Sequence, residues 1–319
     1  MNGNQKSGTR DGFGEALLSL ARQYPDVVAM DCDLGRSTRS YRITEVDPSR
    51  FIEMGISEQD MVSTAAGLAR MGKTVFVSSF AVFLTGRAFD QIRQQVALPR
   101  ANVKICGSSA GLTVGPDGAT HQSVIDLSLM RSLPNMTVLN PADHAQAAAA
   151  TKAAYVLKGP VYLRLSRYET LQMVPGNLPF EIGKAQEIVK GEKIALCSSG
   201  PILQDVLNTA GLLRNEGYSP AVYNFHTLKP VDAGAIKIIA SSFEHVITVE
   251  EHNIFGGLGS AVAEVIAELP PSLRRCRFMR LGINDCFGES GTGEELFAKH
   301  CLDGEGLYSK VIQLIEGPA

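Results

Sequence analysis

No pair of cysteines has the Cys-x-x-Cys spacing of a zinc ribbon or a dithiol redox site. The six present, at positions 32, 106, 197, 276, 286 and 301, are scattered and read as buried or free thiols of a reducing cytosol. No spacing suggests a metal-ligand set, so this chain is expected to supply none. The first residues, Met1 to Gly8, have no apolar core, and nowhere do about eighteen apolar residues run together. Secretion and membrane insertion are therefore not expected, and the reading is a cytoplasmic protein. There is no basic stripe either. The formal net charge is -3, which gives no electrostatic footprint for nucleic acid and requires any bound anion to be held locally. No short-period repeat or low-complexity tract is visible beyond the alanine-rich stretch from Ala145 to Ala154, which reads as plain helix.

What is present is enough apolar material for two cores. With 319 residues, 45% hydrophobic and 20% charged, the chain can bury two compact domains. Short β-branched runs at Val27–Met30, Thr74–Val77, Val103–Cys106, Thr137–Leu139 and Val161–Leu163 alternate with helical patterns, which predicts α/β units on a mainly parallel sheet. The rhythm breaks near Met173 to Gly183, where Pro175, Gly176, Pro179 and Gly183 mark a linker. A second series follows, with strands at Lys193–Leu196, Ala221–Tyr223, His245–Val249 and Arg277–Arg280. The expected fold class is α/β with two doubly wound domains, at residues 1–176 and 191–319, joined by a linker at 177–190.

Three segments carry chemistry. Ser57 is a good N-cap with Asp60 three residues on, Met61, Ala65 and Leu68 form an apolar stripe, and Gly72 can close the helix. Glu58 then lies in the first helical turn, where an acidic residue ordinarily just complements the macrodipole. Phe80 and Phe83 follow an apolar strand. Residues so placed usually fill a core, but they also suit an aromatic wall for a flat heterocycle. In Asp117-Gly118-Ala119-Thr120-His121-Gln122, the preceding Gly115 and Pro116 make a tight turn of the kind on which sites are built. Gly256-Gly257-Leu258-Gly259 is too weak a match to read as a nucleotide loop.

Taken together, these segments resemble transketolases. "RFIEMGISEQDMVSTAAGLA", "FVSSFAVFLTGRAFDQIR", "GLTVGPDGATHQ" and "VYLRLSR" occur in the order of that family's pyrimidine-binding half, and "YNFHTLKPVD" and "EEHNIFGGLGSAV" resemble its C-terminal domain. The resemblance spans nearly the whole chain. It implies thiamine diphosphate as cofactor, with Glu58 hydrogen-bonding the aminopyrimidine ring nitrogen and so activating the thiazolium carbon. A shielded carboxyl suits that proton exchange. It implies that Phe80 and Phe83 pack on the pyrimidine ring, with Gly86 an extra residue that leaves the register of Arg87 open. It further implies that His121 faces substrate hydroxyls and Asp117 recognises the sugar C2 hydroxyl. Arg10, Ser37 and Arg167 are implied to hold the phosphate of a sugar phosphate, a role suited to the planar guanidinium fork. The departure is Ser109, which stands where many members place a further phosphate-binding histidine.

The family's GDG signature for Mg²⁺ and the diphosphate is missing. The resemblance therefore implies a partner: an N-terminal subunit carrying the diphosphate-binding domain and most of the Mg²⁺ contacts, in an assembly of two copies of each chain. The expected reaction is transfer of a two-carbon ketol unit from a ketose phosphate to an aldose. Three alternatives stay open: the β subunit of a 2-oxoacid dehydrogenase, a deoxyxylulose-phosphate-synthase-like enzyme, and a non-catalytic regulatory subunit. The first leaves Asp117, His121 and Arg167 without a task, the second usually occurs as one long chain, and the third gives no reason to keep Glu58.

Overall fold

The computed structural model describes residues 6–317. The first five β-branched runs become strands of one sheet because burial on both faces suits continuous apolar segments. Val27–Asp31, Thr74–Phe80, Val103–Ser108 and Val161–Arg164 are buried along their full lengths. The spatial order of this seven-stranded sheet is Thr227–Lys229, Thr137–Leu139, Val161–Arg164, Val103–Ser108, Thr74–Phe80, Val27–Asp31 and Phe51–Glu53. All pairs are parallel except the edge strand Thr227–Lys229, which reaches in antiparallel from the C-terminal half.

A second sheet of five strands runs Arg277–Ile283, His245–Asn253, Ile194–Ser199, Ala221–Asn224 and Gln186–Val189. Its last strand is antiparallel and falls in the segment read from sequence as linker. The α/β class with two wound sheets is therefore the observed architecture. Among the described residues no helix is long and apolar enough to cross a membrane.

The helix Glu58–Arg70 forms as its pattern suggests, with Met61 and Ala65 fully buried. Its start differs from expectation. Ser57 occupies the N-cap, but its hydroxyl donates to the Met54 carbonyl at 2.8 Å and makes no cap bond. Gly72, with φ +89°, ends the helix in the left-handed conformation that a glycine adopts without strain.

The helix Thr9–Gln23 packs on His144–Val156 with Gly12 at the crossing. A Cβ there would lie 2.1 Å from the His144 carbonyl oxygen. This close approach anchors the start of the helix, and hence Arg10, against the helix His144–Val156. In parallel α/β sheets, loops at the carboxyl ends of strands gather into one crevice. Apart from Arg10, and Phe80 which closes its own strand, the candidate residues follow such ends: Ser37 after Asp31, Glu58 after Glu53, Phe83 after Phe80, Asp117 and His121 after Ser108, and Arg167 after Arg164.

Candidate active site

Glu58 is 1% exposed, and a carboxylate so buried needs partners. Ser79 Oγ donates to one of its oxygens at 3.3 Å and Arg87 Nη1 to the other at 2.8 Å. Phe80 and Phe83 stand beside it with ring centroids 6.1 Å apart and planes inclined by only 11°. His121 meets Phe83 edge-on at 5.2 Å and Phe80 edge-on at 6.2 Å. Its Nδ1 lies 2.9 Å from Thr120 Oγ1. The carboxylate, the aromatic pair and the loop imidazole thus converge on one place.

Arg87 was not among the residues assigned from sequence. Phe83–Arg87 is a π-helical turn, the form in which a helix absorbs one extra residue, frequently at functional sites. Gly86, read from the sequence as an extra residue, sits in that turn. The wider turn sets the Arg87 guanidinium 4.7 Å from the Phe83 ring centroid and onto Glu58. Arg87 so placed both donates to the carboxylate and covers a face of the Phe83 ring.

A second group lies around Arg10. Its Nη1 donates to the Ser37 carbonyl at 3.1 Å and to Ser37 Oγ at 3.3 Å. Its buried Nε has no partner among the described residues. Burial, with Arg39 and Arg167 nearby, pulls the Arg10 pKa below the usual guanidinium range. Arg167 donates to Asp117 at 2.8 Å and to the Val114 carbonyl. The residues assigned separately to phosphate and to a sugar hydroxyl therefore form one ion pair.

Ser109 is fully buried at φ +50°, and its hydroxyl also lacks a partner among the described residues. The turn bearing Ser37 is tied down by Asp31, which accepts from Leu34 N, Thr38 Oγ1 and Ser40 Oγ at 2.6 to 2.8 Å. Burial raises the Asp31 pKa to about 6.

Comparison with known proteins decides the family. The pyrimidine binding domain of transketolase matches residues 5–172, and the transketolase C-terminal domain matches residues 183–307. The chain belongs to the transketolase family. It is 41% identical over 309 residues to a putative transketolase C-terminal section of Methanocaldococcus jannaschii, covering 96% of each chain. It is 37% identical to a 6-deoxy-6-sulfo-D-fructose transketolase subunit of a Clostridium species, covering 96% of this chain and 94% of that one. A solved structure titled as a split gene transketolase, inactive beta4 tetramer, superposes with a TM-score of 0.87 at 39% identity, covering 96% of this chain and 98% of that one. As a transketolase-family chain it corresponds along its length to the C-terminal sections of split members. Family membership implies dependence on thiamine diphosphate. The residues present fit the pyrimidine half of that cofactor in kind, since a buried carboxylate is paired with near-parallel aromatic rings.

Proposed function

We propose that this chain is the cofactor-activating and substrate-facing subunit of a transketolase that moves a two-carbon ketol unit from a ketose phosphate to an aldose. The observation that carries the reading is Glu58, buried yet hydrogen-bonded, beside the Phe80 and Phe83 faces. Bound thiamine diphosphate supplies the nucleophilic carbon and the electron sink. Glu58 exchanges a proton with the aminopyrimidine nitrogen, and burial keeps water from competing. Phe80 and Phe83 orient the ring, and His121 and Asp117 face the sugar hydroxyls. The diphosphate and Mg²⁺ are held by a separate N-terminal chain, with two copies of each chain in the assembly. The division at 1–176, 177–190 and 191–319 places all of these residues in the first domain.

Arg10, Ser37 and Arg167 hold the terminal anion of the sugar. Support comes from the Arg10 Nε, unpartnered among the described residues, and from the burial and cationic neighbours that depress the Arg10 pKa, all of which favour an anion beside it. A relative is named for a sulfonated sugar, and Ser109 in place of histidine suits an anion other than a common pentose phosphate. Ser109→His is expected to improve turnover of pentose phosphates if the pocket is an ordinary one lacking a ligand, and to harm the true substrate if the serine makes room for a sulfonate or a branched sugar. Steady-state kinetics on both substrate types distinguish these outcomes.

Product analysis of the assembled complex tests the proposal. A ketose phosphate donor should yield an acceptor lengthened by two carbons. Product from pyruvate alone with an aldose phosphate would instead point to the deoxyxylulose-phosphate-synthase class. Phe83→Ala is expected to weaken cofactor binding by about fivefold, as loss of one aromatic contact implies, with a smaller change in kcat. Calorimetric titration of thiamine diphosphate checks this.

A further inference from the structure

The loop from Gly111 to Gln122, which carries Asp117 and His121, rests against the C-terminal half of the chain along most of its length. At its start, Glu251 is 2% exposed, and its Oε1 accepts from both the backbone N–H and the hydroxyl of Thr113 at 2.8 Å. Gly111, at φ +82°, permits this, because a Cβ would lie 2.2 Å from that carboxylate. At its end, the buried Gln122 amide donates to the Glu289 carbonyl at 2.8 Å. The same nitrogen lies 3.2 and 3.3 Å from the Leu112 and Gly115 carbonyls. Between these clamps the C-terminal half approaches two further glycines: a Cβ on Gly118 would meet Ser290 Oγ at 2.7 Å, and one on Gly115 the Gly291 carbonyl at 3.2 Å.

We propose that Glu251 and Gln122 are positioning residues, through which the C-terminal half of the chain sets the geometry of the substrate-facing loop. The proposal deepens the function above and rests on its reading of Asp117 and His121. A loop with three glycines at positive φ, Gly111, Gly115 and Gly118, has little conformational preference of its own. Hydrogen bonds that reach across 138 and 167 residues of sequence hold it in one shape. A displacement of about 1 Å at a positioned group is enough to change substrate handling substantially. Neither clamp is hydrogen-bonded to Glu58 among the described residues, and the loop meets Phe80 and Phe83 through the His121 ring edge, so the larger effect should fall on substrate rather than cofactor.

The test uses two changes in the C-terminal half. Glu251→Ala removes the acceptor for Thr113, and Gly288→Ala pushes on Gln122, since a Cβ there would come within 1.8 Å of the Gln122 side-chain oxygen. In the complex with the diphosphate-binding chain, each is expected to raise KM for the ketose phosphate at least ~5-fold while changing thiamine diphosphate affinity less than about twofold. Glu251→Gln, whose amide oxygen still accepts, should return KM to within about twofold of wild type. Hydrogen exchange on the isolated chain should accelerate in residues 111–122 for Glu251→Ala and Gly288→Ala, a readout independent of turnover. If Glu251→Ala does not fold, Gly288→Ala with the exchange measurement decides. Faster loop exchange with an unchanged KM would overturn the proposal, as would Glu251→Gln behaving like Glu251→Ala. A His121→Ala variant with unchanged KM would instead overturn the underlying reading of the loop.

Discussion

Replacing Glu58 with glutamine is expected to lower turnover of the assembled complex at least ~10²-fold, the usual consequence of losing a positioned proton-transfer group. The side chain is nearly isosteric, and Ser79 and Arg87 remain as neighbours, so the fold should survive. An amide cannot exchange the proton that the aminopyrimidine nitrogen requires, so the loss should fall on kcat rather than on assembly. Glu53 is the internal control. It accepts from the backbone N–H groups of Asp33 and Gly55, contacts that a glutamine oxygen can still accept, and Glu53→Gln should retain most activity. Stopped-flow or steady-state assay of ketol transfer, with the melting curve of each variant, checks both. A Glu58→Gln complex near wild type would remove Glu58 from the chemistry.

The second large effect concerns Arg167. Charge-assisted hydrogen bonds contribute roughly 1.5–3 kcal/mol each, and the partly exposed Arg167 deserves the lower end of that range. Arg167→Ala should therefore raise KM for the phosphorylated sugar ~10-fold or more and change the unphosphorylated analogue markedly less, since both sugars meet Asp117 but only the former has an anion for the guanidinium. Asp117 loses its ion-pair partner in this variant. Asp117 stays on the surface, where water replaces the lost contact. Equal loss on both sugars would leave Arg167 with a structural role only.

Much of the fold was legible because buried parallel strands are written as β-branched runs, and those at residues 27, 74, 103, 137 and 161 lie where such runs occur. Three strands of the two large sheets were not read, for physical reasons. Phe51–Glu53 is only three residues long and partly exposed. Thr227–Lys229 is an antiparallel edge whose partner is distant in sequence. Gln186–Val189 is a half-exposed edge next to Pro- and Gly-rich chain, so its composition resembles a linker. At the site, local motifs marked the neighbourhoods of Glu58, Phe80, Phe83 and His121, which the fold draws together. Arg87 was missed because a π-helical turn, which sequence periodicity does not announce, decides where it points. Asp31, Glu251 and Gln122 were missed because their roles lie in hydrogen bonds to partners set by tertiary packing.

Ketol transfer by this chain alone, compared with the chain mixed with a diphosphate-binding transketolase subunit, tests the central claim most directly. The pyrimidine pocket offers ring contacts and one carboxylate. A few kcal/mol from such contacts leaves cofactor affinity in roughly the millimolar range. With thiamine diphosphate and Mg²⁺ supplied, the account predicts no turnover from the purified chain and turnover that appears on adding the second polypeptide, saturating at equal numbers of the two chains. Full turnover by this chain without a partner would contradict it.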